Sequence, residues 1–102
     1  MDSTTNVNES IEQIMTEAAK ACTRTLDRAN HMAELAQRGR VSRNSNAYRK
    51  AWEAWSSACV RYGGLVDMWA AVTGADEAER SRFHNRFMLP ASEAALTGSE
   101  SR

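Results

Sequence analysis

Residues 48–72 read YRKAWEAWSSACVRYGGLVDMWAAV. Within this stretch Tyr48, Trp52, Trp55, Cys59, Tyr62, Val66 and Trp69 succeed one another at gaps of four and three. That spacing places all seven on one face of a helix. A second row, Ala51, Ala58, Leu65 and Val72, repeats every seven residues and widens the apolar stripe. Every tryptophan and tyrosine of the chain lies here. The stretch predicts a long amphipathic helix over residues 46–73, on which the rest of the chain packs.

Upstream, Ile11, Met15, Ala18, Cys22, Thr25, Ala29, Met32 and Ala36 repeat the pattern, broadened by Ile14, Leu26, Ala33 and Leu35. The outward positions carry Glu12, Glu17, Lys20, Arg24, Asp27, Arg28 and Glu34. Pairs such as Glu17 with Lys20 contribute tenths of a kcal/mol and mark a solvated face. Ser10 stands three residues before Gln13, a capping-box pattern, and Gly39 suits the C′ position, so the first helix is expected over about 10–38. Residues 1–9 are polar and aperiodic and read as a disordered leader. Downstream, Gly74 closes the second helix, and Asp76 with Glu79 opens a third. Phe83 and Phe87, one turn apart, form its contact with Ala75, Ala78 and Met88. Pro90 is expected to stop it, giving a helix over 76–88 and a flexible tail over 91–102, with Ala94-Ala95-Leu96 docking weakly.

These elements predict one all-α domain over residues 10–90: a long antiparallel helical hairpin with a shorter third helix, a three-helix bundle. The connection over 40–46 offers Asn44, Ser45 and Asn46 as caps. With the turn centred near residue 42, position n on the first helix faces roughly 85 − n on the second. Trp55 then meets Ala29, Trp52 meets Ala33, Tyr62 meets Cys22 and Trp69 meets Met15. Large side chains mostly face small ones, as dense packing requires. Gly63-Gly64 interrupts the second helix at roughly 1 kcal/mol per glycine, which points to a kink, a close helix crossing or a hinge.

Formal net charge is zero, so bulk charge predicts no polyanion partner. Two cysteines make no disulfide scaffold, and Cys22 and Cys59 read as inward, reduced thiols. There is no apolar N-terminal run of signal-peptide type and no stretch of membrane-spanning length, so a cytoplasmic protein with no membrane role is expected. His31 and His84 stand apart from each other and from any cysteine pair, so no metal is expected. Glu53 and Asp67 fall on outward positions, and no phosphate loop or nucleophile elbow is present. Neither an enzyme nor a cofactor is expected.

What remains is a surface. A short third helix covers only the Tyr62–Val72 half of the hairpin. The other half holds Tyr48, Ala51, Trp52, Trp55 and Ala58, facing Ala29, Met32, Ala33 and Ala36. An apolar face of this size calls for another chain, and a second copy, giving a homodimeric four-helix bundle, is the simplest occupant. Beside it Arg38, Arg40, Arg43, Arg49 and Lys50 cluster with no acid among them. Tyr48, Trp52 and Trp55 would anchor a partner, and the five cations would form its polar rim, matching an acidic protein surface. The expected function is a small non-catalytic protein of accessory, adaptor or inhibitor type that binds a macromolecule, foremost a protein. The alternative is a nucleic-acid-binding accessory protein, with phosphates on the basic tip and a base stacked on Tyr48 or Trp52. No helix-turn-helix, zinc-finger or RNA-binding signature accompanies the cluster.

Overall fold

The computed structural model describes the backbone of residues 3–100 and the side chains of residues 9–95. Three α-helices follow in order, α1 (Ser3–Gln37), α2 (Asn46–Thr73) and α3 (Glu77–Glu100), and the fold is all-α. They form a bundle of 55 × 29 × 25 Å.

The helix ends are set by local chemistry. Gly39 adopts φ 73°, its N–H donates to the Ala36 carbonyl, and the Arg40 N–H reaches the Leu35 carbonyl. This pair of bonds is a Schellman closure of α1, and it needs a left-handed residue that glycine supplies without strain. Ser45, one of the three candidate caps, opens α2 by accepting from the Tyr48 N–H at 3.2 Å. Gly74, at φ 71°, closes it, with its N–H on the Ala70 carbonyl. Asp76 and Glu79 form the expected capping box: the Glu79 N–H donates to Asp76 Oδ1 at 2.8 Å, and the Asp76 N–H donates to Glu79 Oε1 at 3.4 Å.

Two boundaries differ from expectation. α1 begins at Ser3, so residues 3–9 continue the helix and Ser10 lies inside it; Met1 and Asp2 lie outside the described residues. A polar stretch without Gly or Pro offers no physical stop to a helix already nucleated by the packed turns beyond it. α3 does not end at Pro90 but runs through it to Glu100, with Ser101 and Arg102 outside the described residues. A proline inside a helix costs roughly 3 kcal/mol. The offset is visible: Ala91, one residue beyond, is buried in the core beside Phe87, so the segment read as a tail is anchored at its start. Ala94 is exposed and Ala95 half-buried, while the Leu96 side chain lies outside those described.

The core joins Met15, Ala18, Ala19 and Cys22 of α1, Tyr62 and Val66 of α2, and Phe83, Phe87 and Ala91 of α3. Trp69 and Phe83 stack with ring centroids 3.9 Å apart and planes 2° from parallel. The Tyr62 hydroxyl donates to the His84 carbonyl, and the His84 ring sits edge-on to Tyr62 at 5.0 Å, so His84 is no isolated surface imidazole. Ala78, expected in the α3 contact, faces solvent. Between helices, Arg80 binds Asp67, and Arg86 binds Glu12.

The seven-residue row of α2 shows its geometry plainly. Ala51 is buried, Ala58 and Leu65 are half-buried, and Val72 is 81% exposed. A strict seven-residue repeat drifts by about 20° per heptad on a straight helix, so the row leaves the contact as it climbs. Cys59 is exposed, although its thiol lies beside that of the buried Cys22. The Cys22 thiol donates to the Ala58 carbonyl at 3.3 Å, a turn away from the Tyr62 pairing expected for it.

A candidate binding face at the start of α2

The Ser45 cap fixes the first turn of α2, and the four-and-three spacing then lines up Tyr48, Trp52 and Trp55. Tyr48 and Trp52 lie 6.3 Å apart between ring centroids at 52°, and Trp52 and Trp55 lie 5.5 Å apart, edge to face at 81°. Both are favourable aromatic geometries. All three rings are half-buried. None belongs to the main core cluster, which α3 completes around Tyr62 and Val66.

An open cleft of about 300 Å³ lies against this ladder, lined by Arg43, Tyr48, Arg49, Trp52 and Glu53. The indole Nε1 of Trp52 is buried and has no hydrogen-bond partner. A buried N–H without an acceptor costs roughly 1–3 kcal/mol. The two guanidinium groups give the cleft positive character, and Glu53 supplies one opposing charge.

The structure brings Tyr48, Trp52, Arg43 and Arg49 together. It does not bring Arg38, Arg40 or Lys50 into the cleft wall, nor Trp55, which packs against Trp52. Arg38 is engaged by Glu34 at 3.7 Å, and Arg49 donates to Asn46 Oδ1. Arg40, Arg43 and Lys50 are exposed. Sequence reasoning placed Glu53 only as an outward acid. Its position one turn after Arg49 was the signal that both would border the same hollow.

Elsewhere the titratable groups serve the fold. Burial, and then the neighbouring Cys59 thiol, push Cys22 up to about 11, which leaves it a protonated donor and a poor nucleophile. Burial, and then Cys22, push the Tyr62 hydroxyl up to about 12. The hydrogen bond and charge of Asp67 raise Arg80. Among the described residues, no cluster of three or more His, Cys, Asp or Glu side chains is placed to hold a metal ion. Among them, too, no helix is long and apolar enough to cross a membrane.

Gly63 and Gly64 lie inside the continuous α2, and a Cβ at either would meet nothing within 4 Å. No neighbouring helix within the bundle therefore crosses close against them.

No known protein family matches the chain, and no curated protein or solved structure is significantly similar to it.

Proposed function

We propose that this chain is a small, non-catalytic binding protein of the cytoplasm, of accessory, adaptor or inhibitor type. It takes another protein on the face formed by Tyr48, Trp52 and Trp55. The observation that carries this reading is the aromatic ladder itself: Tyr48 and Trp52 line an open cleft between two arginines, outside the core that α3 completes. Trp, Tyr and Arg are also the residues that dominate binding energy at protein interfaces. Arg43 and Arg49 favour an acidic surface, with Arg38, Arg40 and Lys50 as the outer rim that steers approach.

The reading includes an antiparallel arrangement of α1 and α2. Two contacts support it: Cys22 with Ala58, and Trp69 beside Ile11 and Glu12 in one surface hollow. As residue numbers rise along α1 they fall along α2. That arrangement sets the aromatic ladder at the tip of the pair, away from α3.

Nucleic acid is the competing occupant, and two features weigh against it. Glu53 lines the cleft, and Glu34 already holds Arg38. The experiment compares proteins crosslinked in the source cells to the wild-type chain and to the double variant Trp52→Ala, Arg49→Glu. One discrete partner, recovered with the wild type and lost with the variant while helicity by circular dichroism is unchanged, is the expected result. If every crosslinked protein survives the double substitution, the face is not the binding surface. A complex that weakens by several powers of ten between low and moderate salt points to phosphates; a tryptophan-anchored interface weakens far less.

A further inference from the structure

Cys22 and Cys59 meet at the seam between α1 and α2, from opposite surroundings. Cys22 is 4% exposed, inside the core, whereas Cys59 is exposed on α2. Around Cys22 the two helices present small residues: Ala18 and Ala19 of α1 are buried, and Ala58 of α2 is half-buried. Small side chains at a contact let two helices approach closely. The Cys22 thiol reaches the Ala58 carbonyl at 3.3 Å, on the residue directly before Cys59. It is also within hydrogen-bonding reach of the Cys59 thiol itself. A disulfide joins Cα atoms about 4.4–6.8 Å apart and needs an approach of this kind.

We propose that Cys22 and Cys59 form a reversible disulfide that ties α1 to α2, made and broken by exchange with low-molecular-weight disulfides and thiols. The exposed Cys59 sulfur, as thiolate, attacks a small disulfide. It forms a mixed disulfide with one half and releases the other half as a thiol. Cys22 then attacks the Cys59 sulfur. The Cys22–Cys59 bond forms, the mixed disulfide breaks, and the second half departs with the Cys22 proton. Two electrons pass from the cysteine pair to the small disulfide, and both cysteine protons end on the two thiols released. Excess thiol runs the same steps backward. The two roles are not interchangeable. Cys59 is the sulfur that a reagent in water can meet. Burial holds Cys22 protonated, which shields it from the reagent and makes its attack the slow step. Contact between the two sulfurs makes that step intramolecular, which offsets the small ionised fraction.

The position of the bond gives it a consequence. The core that α3 completes holds nine of the buried apolar residues; the other two among the described residues, Ala29 and Ala51, lie toward the α1–α2 tip. Cys59 follows Trp55 by one turn, so the bond pins α2 to α1 at the foot of the aromatic ladder. Oxidation then stiffens the tip that carries the ladder. That regulatory consequence rests on the aromatic face being the binding surface; the bond itself does not.

Equilibration of the full chain in mixtures of reduced and oxidised glutathione, quenched in acid and alkylated after unfolding, tests the assignment by intact mass. The mixed disulfide on Cys59 should appear first, then give way to a product that lacks two hydrogen atoms and takes up no alkylating reagent. At a fixed ratio of reduced to oxidised glutathione, tenfold dilution of both should favour the closed bond tenfold, because closing releases two thiols where mixed-disulfide formation releases one. The bond closes a loop of about 38 residues, so the oxidised chain should melt on the order of 10 °C higher, and a dithiol reductant should abolish the gain. Cys22→Ala should stop at the mixed disulfide. Cys59→Ser, at an exposed position, should keep its helicity by circular dichroism and leave Cys22 unmodified. A wild type that stops at the mixed disulfide, that joins Cys59 of two chains, or that keeps both thiols free at the most oxidising ratio overturns the proposal.

Discussion

Replacing Gly63 with alanine is the sharpest test of how α2 is built. The residue lies in the helix interior, and its φ is not among the positive values, which belong to Gly39 and Gly74. An added methyl group meets nothing within 4 Å. The substitution therefore brings no clash and no left-handed strain. It leaves only the difference in helix propensity, about 1 kcal/mol in favour of alanine. For a domain of this size that raises the melting midpoint by about 4–8 °C. The assay is urea unfolding followed by circular dichroism, at a protein concentration low enough to keep the chain monomeric. The midpoint should rise with the denaturant slope unchanged. Gly39→Ala and Gly74→Ala serve as opposite controls, because at φ 73° and 71° they should lose roughly 1 kcal/mol or more. A neutral or destabilising Gly63→Ala with an unchanged slope would refute the reasoning. It would mean that the backbone at 63 is not regular helix, or that something packs against it.

Pro90→Ala restores the missing N–H inside α3, and should stabilise the chain by about 2 kcal/mol: roughly 3 from the helix interior, less up to 1 for the freer unfolded chain. An unchanged unfolding midpoint would show that α3 does not continue through position 90. Alkaline titration makes a second check. Cys22 and Tyr62 are neutral when protonated, and folding raises them from 9.0 to about 11 and from 10.0 to about 12. The stability they contribute is whole below pH 9 and is lost progressively, between about pH 9 and 11 for Cys22 and between about pH 10 and 12 for Tyr62, on the order of 2 kcal/mol for each group. Unfolding free energy measured against pH should fall across that window, and Tyr62→Phe should make the fall shallower above pH 10 and end it near pH 11, where the Cys22 share is complete. A flat profile would mean that neither group is desolvated by folding.

The sequence carried the fold further than it carried the surface, for a physical reason. The side chains at the centre of the α2 stripe, Tyr62 and Val66, are buried, and the glycine and serine caps sit where their backbone preferences put them. These are local properties. Pro90 was misread because its cost is local while its compensation, the burial of Phe87 and Ala91 against α1 and α2, is not. Val72 was misread because a seven-residue pattern says which positions share a row but not where that row leaves its neighbour. The aromatic ladder was legible as a set of residues. The unpaired Trp52 Nε1 and the entry of Glu53 into the cleft depend on the positions of individual atoms, which spacing does not encode.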